Sequence, residues 1–425
     1  MTPECVGDFR EAERLFEQRR LDEAESLAQR LLVRNPSAAP AHLLLGLIHV
    51  ERFEIAEAMD RLHQALALRP DLPAAHNSLG HCQVLLGNDD QALAHFDTAL
   101  CLDPRHVLAH YNRAVVWLKR GQFREGWVEH EWRFAAGVAK RQQVSRPLWD
   151  GSLLERRSLL IYTEQGLGDV LQLARFLPIL RRRARRLVVA CHPPLRPFLE
   201  RLGCIDDWFP IDQPNEINFD VYAAMMSVPA LVDLDERSIP RSVPYLFADP
   251  LRIDAWARPI RRLPGFKVGI CWQGNPLFRV DRYRSVPLRH FAPLAAIPGV
   301  TLVSLQHGAG CEQIEPNREK VPLSLLPDLD RDGVFLDRVA VLQHLDLVIT
   351  SDTSMAHLAG GLGRPVWVLL AANCDWRWMR DRSDSPWYPT MRLFRQRTLG
   401  DWSSVFQQVA RELRHILPLR RPIAA

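Results

Sequence analysis

Three short stretches of this 425-residue chain gather residue types that can do chemistry. The first is Glu164-Gln165-Gly166-Leu167-Gly168-Asp169. Its glycines permit close backbone approach, and the helix start that follows favours negative charge nearby. The plainer reading is a tight turn whose aspartate caps a helix. The second stretch, Gly274-Asn275-Pro276, leads into Arg279, Arg282 and Arg284. Guanidinium groups suit phosphate recognition; a solvated loop pairing with Asp281 is the alternative. The third is Ser351-Asp352-Thr353-Ser354-Met355-Ala356-His357. Its amides and hydroxyls at a helix start can hold a pyrophosphate, or Asp352 and Ser354 merely cap and His357 sits in the interior.

Each stretch follows an apolar, β-rich run. SLLIYT (158–163), RLVVAC (186–191) and DVYAAMM (220–226) precede a Pro- and Arg-rich break, ARPIRRLPG (257–265). FKVGICW (266–272), VTLVSLQ (300–306), LDLVIT (345–350) and PVWVLL (365–370) follow it. Helical stretches such as DVLQLARFLPIL lie between the runs, which is the pattern of parallel βαβ units. Two Rossmann-like lobes with a cleft between them are predicted, over 145–258 and 265–420. Ligands of such sheets bind beyond the carboxyl ends of the strands, where the three stretches fall.

The first third of the chain repeats every 34 residues. Pro36, Pro70 and Pro104 share one register, Ala24, Ala58 and Ala92 a second, and Gly46 and Gly80 a third, with Ala65 and Ala99 at the remaining small position. These positions resemble the tetratricopeptide repeat, in which small residues sit where paired helices cross and Pro closes the second helix. The spacing places repeats at about 5–38, 39–72 and 73–106. An atypical fourth, 107–140, carries Gly126 in the place of Ala and the aromatics Trp117, Phe123, Trp127, Trp132 and Phe134. A helical solenoid over 1–140 is predicted, each hairpin burying its apolar stripe on its neighbours. Such arrays present grooves that bind polypeptide; a prop for the next domain or a homodimer contact are the other roles weighed.

Bulk properties narrow the function. A formal net charge of +4 is small for this length and does not call for nucleic acid or an anionic membrane. The run Arg181–Arg186, with Ala184 in its middle, reads as a solvated helix end. The eight Cys lack the close spacing of a zinc site or a redox pair. The charged opening and the lack of a long apolar run predict a cytoplasmic protein without a membrane span.

Taken together, EQGLGD, CWQGNPLFRVDRYRSVPL, VSLQHG, DLVITSDTSMAHLAGGLGRPVWVLL and DWRWMRDRSDSPWYPTMRLFRQ resemble bacterial tetratricopeptide-linked glycosyltransferases related to the heptosyltransferases of glycosyltransferase family 9. The resemblance implies an all-α tetratricopeptide-repeat solenoid followed by an α/β GT-B fold with two Rossmann-like lobes. It implies sugar transfer from a nucleotide-sugar by direct displacement, with no metal and no other cofactor. Asp169 matches the acidic residue that faces the acceptor and acts as base, with Gly166 and Gly168 in its loop. Asp352, Thr353, Ser354 and His357 match the nucleotide-side pattern Asp-Thr-Gly-x-x-His, with Arg279 and Arg284 as phosphate partners and Asn275 and Gln306 as further contacts. Ser354 replaces the usual Gly, and the arginine-rich loop lacks the lysine of the heptosyltransferases, so the resemblance does not extend to ADP-heptose as donor.

A protein acceptor recruited by the repeats, flagellin for example, is the expectation; a surface glycan acceptor and a non-catalytic scaffold are the alternatives. The layout is also similar to O-GlcNAc transferases, although Leu44 and Ser78 break the asparagine ladder to which Asn112 would belong. A metal-dependent reading rests on Asp328-Leu329-Asp330 and Asp330-Arg331-Asp332. Trp376, Trp378, Trp387 and Tyr388 offer rings for stacking on a sugar or base, or for the core.

Overall fold

The computed structural model describes residues 3–211, 218–278, 280–331 and 335–417. Its contacts divide the chain into two compact units, Met1–Val138 and Ala139–Ala425.

The first unit is all helical. Its antiparallel pairs are α1 (Pro3–Glu17) with α2 (Leu21–Arg34), α3 (Ala39–Arg52) with α4 (Ile55–Leu68), α5 (Pro73–Leu86) with α6 (Asp89–Leu102), and α7 (Val107–Lys119) with α8 (Phe123–Glu129). Each predicted small residue stands where two helices cross. Ala24, Ala58, Ala92, Ala65 and Ala99 are fully buried. A Cβ on Gly80 would meet the Phe96 ring at 2.5 Å, so any larger residue there forces the pair apart. Two further registers surface in the structure. Arg19, Phe53, Gly87 and Gly121, each 34 residues apart, all turn the chain with positive φ, 63°, 61°, 80° and 79°. Only the two glycines adopt that conformation without steric cost. His42 and His110 reach back through Nε2 to the carbonyls of Pro36 and Pro104, both at 3.0 Å, tying each repeat to the last residues of the one before. Asn112 donates to Asn77 at 2.9 Å, the partner lying one residue before the Ser78 that the ladder register singles out.

The second unit holds two parallel sheets. In the first lobe β1 (Leu154–Tyr162), β2 (Ala184–Cys191), β3 (Asp207–Pro210) and β4 (Val221–Ala224) stand in the order β3-β2-β1-β4. In the second, β5 (Phe266–Cys271), β6 (Val300–Ser304), β7 (Leu347–Ser351), β8 (Val366–Leu370) and β9 (Met391–Arg395) stand in the order β6-β5-β7-β8-β9. All the pairings are parallel. The fold class read from the sequence is therefore the one observed, helical repeats followed by two doubly wound lobes.

Three local differences have physical causes. The short edge strands β3 and β9 were not read from the sequence; four or five half-patterned residues gain strand geometry only by pairing with β2 and β8. DVLQLARFLPIL is not one helix: α9 (Leu167–Leu173) passes through a 3-10 turn, Ala174–Phe176, into α10 (Leu177–Arg183), where Pro178 at the second helical position cannot continue a hydrogen-bond ladder. The basic run does not stay in a helix end, because Arg185 and Arg186 already belong to β2.

The buried face of the second sheet packs Val268, Ile270, Leu347, Ile349 and Leu369 against Trp402, Val405, Phe406, Val409 and Leu413 of the amphipathic helix Trp402–Ile416. That rigid base fixes where the strand ends deliver their loops.

Candidate active site

The two sheet orders decide where a ligand can lie. In the first lobe the order reverses between β1 and β4, and in the second between β5 and β7. Crevices at such switch points, beyond the carboxyl ends of the strands, are the ligand sites of open α/β sheets. The loop after β1 is Thr163–Gly166, the loop after β5 begins at Trp272, and the loop after β7 is Asp352–Thr353. All three chemically suggestive stretches thus leave the sheets at switch points.

The first and third loops meet. Gly168 lies so close to the helix Ser354–Gly361 that a Cβ on it would stand 3.0 Å from His357 Cδ2 and 3.5 Å from Ser354 Cα. The absence of a side chain at Gly168 lets the two lobes approach closely, and a Cβ there would press on the His357 ring. One turn of α9 then carries Asp169 and Gln172 to Arg377 of the second lobe. Arg377 donates through Nη2 to Asp169 Oδ1, through Nε to Gln172 Oε1 at 2.6 Å and through Nη1 to Asp375 Oδ1 at 2.8 Å. The guanidinium also lies over the Trp376 ring, 4.2 Å from its centroid.

The site is rich in buried charge. Burial pushes the Asp169 carboxyl above the ordinary carboxylate range; Arg377 opposes that push and Asp375 adds to it. Burial likewise raises Asp352 to about 6, with Asp375 adding to the shift and the nearby Arg284, Trp378 and Arg377 resisting it. His357 is held well below its ordinary value by burial and by the charges of Arg377, Arg175 and Arg284, so its ring is neutral near pH 7. Its Nδ1 is 2.9 Å from the Tyr388 hydroxyl, and its ring stacks on Trp378 with centroids 5.3 Å apart. That leaves Nε2 on the side facing Gly168.

Behind this layer, Arg175 is boxed in by Tyr245 and Tyr388, its guanidinium 4.7 and 4.5 Å from their ring centroids. It donates to the Pro240 carbonyl and the Tyr245 hydroxyl at 3.0 and 3.1 Å. These contacts lock the crossing segment between the lobes to the floor of the site.

The remaining sequence candidates divide. Thr353 is buried at the mouth of the third loop, its hydroxyl 3.2 Å from that of Thr350, and Ser354 beside it is half-buried. Arg284 donates through Nε to the buried Asp281 at 3.0 Å and stacks over Phe278, while its field reaches Asp352. Gly166 is the exposed residue before α9. Asn275 is exposed, and its side chain accepts from the Leu277 amide in a local turn. Gln306 is bound to loop backbone on both sides of its amide: it accepts from the amides of Trp272 and Gln273 and donates to the carbonyls of Gln273 and Ala309. Arg279 lies outside the described residues.

Contacts place two further sets of candidates. Trp376, Trp378, Trp387 and Tyr388 are all buried, so their rings form the floor of the site and not an open stacking face. Asp330, the shared residue of both DxD patterns, is fully committed: it pairs with Arg338 and accepts from the amides of Asp337 and Arg338. Asp332 lies outside the described residues. Among the described residues no group of three or more His, Cys, Asp or Glu is placed to hold a metal ion, and no described helix is long and apolar enough to cross a membrane.

Sequence reasoning missed Arg377, Asp375, Gln172 and Arg175. A signal for the first pair was present, because Asp375-Trp376-Arg377-Trp378 flanks one arginine with two tryptophans. Apolar neighbours on both sides mark a cation that goes inward.

Comparison with known proteins adds relatives to this geometry. A family model described as tetratricopeptide repeat matches residues 9–73 and 86–125. Protein FlbA of Caulobacter vibrioides is 30% identical over 431 residues, covering 94% of this chain and 71% of its own length. Among solved structures, a mutant O-GlcNAc transferase of Thermobaculum terrenum is similar at a TM-score of 0.37 and 17% identity, over 99% of this chain and 93% of its own. The E. coli ADP-heptose lipopolysaccharide heptosyltransferase II is similar at 0.45 and 16%, over 62% of this chain and 99% of its own.

Proposed function

The chain belongs to the family of Protein FlbA, and from that premise we propose that it is a glycosyltransferase that moves a sugar from a nucleotide-sugar donor to an acceptor, with Asp169 as general base. The observation that carries the proposal is the meeting of a carboxylate from the first turn of α9, just after the first switch-point loop, with a cation and a neutral histidine from the second lobe. A base on one side and charge-stabilising groups on the other is what a displacement at an anomeric carbon requires.

In that reaction the acceptor oxygen attacks the anomeric carbon while its proton passes to the Asp169 carboxylate. The bond from that carbon to the phosphate oxygen breaks, and its electron pair leaves with the nucleotide. A carboxyl raised by burial is a better proton acceptor than a solvated one. Neutral His357 is a hydrogen-bond partner for donor or acceptor through Nε2. Arg284 and Arg377 carry the positive charge that a leaving phosphate needs. No residue of this scheme depends on a metal ion.

The acceptor is a protein, recruited by the helical repeats. Tetratricopeptide arrays present surfaces for polypeptide, and flagellin is one candidate. The test is turnover of a panel of nucleotide-sugars by the full chain, followed by mass spectrometry of the host proteome with and without it. Loss of one glycan mass from a defined protein supports the proposal. An unchanged proteome with altered surface polysaccharide places the acceptor among glycans, and the absence of any turnover favours a non-catalytic scaffold.

A further inference from the structure

We propose that Arg377 is a ligand of the donor's phosphate and that the donor takes it from Asp169, so that the base is released only in a donor-loaded site. The inference rests on the donor reading above and adds a residue and an order of events to it.

Three contacts define how Arg377 is held. Asp375 and Gln172 hold Nη1 and Nε, Gln172 being fully buried, and the Trp376 ring covers one face of the guanidinium. Those partners fix the plane of the fork. The remaining partner, on Nη2, is the candidate base itself. A guanidinium has five N–H groups, and three are engaged by these side chains, so one N–H on each terminal nitrogen remains for an incoming oxyanion. Planar, paired N–H groups suit a phosphate.

The pairing occupies one oxygen of the candidate base. Arg377 favours the ionised form of Asp169 and so works against the rise that burial gives it. A phosphate that engages the guanidinium draws its charge away from Asp169 and raises the proton affinity of the base when the sugar is in place. Asp352, already raised to about 6 by burial, is pushed further toward its neutral form by the same phosphate, which lessens the repulsion between them.

Competition for one cation is reciprocal: by whatever factor the donor loosens Asp169, removal of the Asp169 charge tightens the donor. That gives an expectation of unusual sign. Isothermal titration calorimetry of the full chain with UDP, GDP, ADP and CMP identifies which of these probes the natural chain binds. Asp169→Asn, isosteric and neutral, is expected to bind that nucleotide about fivefold more tightly or better. Arg377→Ala is expected to bind it at least about tenfold more weakly, with Arg377→Lys between the two. The lysine variant, which keeps the charge, serves as the readout if the alanine variant does not fold. Unchanged or weaker binding by Asp169→Asn overturns the proposal while leaving the donor reading in place. Failure of the natural chain to bind any of the four contradicts the donor reading and the inference with it.

Discussion

The second lobe buries two arginine–aspartate clusters, and they are built on opposite principles. Around Asp330, one carboxylate meets one guanidinium, and its oxygens also accept from two backbone amides. Charge is balanced, and the pair caps the helix Leu336–Leu342. Around Arg377, two carboxylates from different lobes bond one guanidinium, and a third, Asp352, lies within its field. Two of those three acids are pushed upward by burial. The first cluster is a structural joint. The second joins acids of two lobes on one guanidinium and keeps two of them perturbed by burial, the kind of group that gathers at functional sites.

This contrast can be broken in two places. Arg338→Met removes the cation of the balanced cluster and leaves Asp330 buried without it, so chemical denaturation should show a loss of about 3–5 kcal/mol. Asp352→Asn should do the reverse. The ordinary Asp value is 3.8 and the folded one about 6, so the natural protein loses stability as pH rises between them. The asparagine variant should therefore be more stable than the natural chain by roughly 2–3 kcal/mol at pH 8, the advantage vanishing below about pH 4. A loss of stability at pH 8 would mean that Asp352 is a joint like Asp330.

The smallest effect belongs to the repeats. Arg19 is exposed, has a φ of 63° and makes only a surface ion pair with Glu51. Arg19→Gly should raise the stability of the repeat unit by about 0.5–1 kcal/mol, since the strain relieved exceeds the worth of an exposed pair. In function the same unit is open to a coarser test. Deleting residues 1–106 should abolish modification of the true acceptor, and unimpaired modification would reduce the solenoid to a prop.

Legibility in the sequence followed the range of the interactions. The repeats were readable because each crossing is made by residues a few turns apart and recurs every 34 positions, as Gly46 and Gly80 do. The core strands were readable as continuous apolar runs, and their loops followed from the sheet rule. Arg377 was missed although its two flanking tryptophans set it apart from Arg380 and Arg382, because the residue it binds is 208 positions away. Gln306 shows the opposite difficulty. Its place in VSLQHG suggested a ligand contact, but the curve of the neighbouring loop takes up its amide. Residue type announces capacity for chemistry; only packing decides whether that capacity is already used.

The most direct measurement is turnover of the accepted nucleotide-sugar by the natural chain and by Asp169→Asn, with nucleotide binding measured on the same samples. The account predicts a fall in turnover of about 10²- to 10⁴-fold with binding retained or tightened. Turnover by Asp169→Asn equal to that of the natural chain would contradict it.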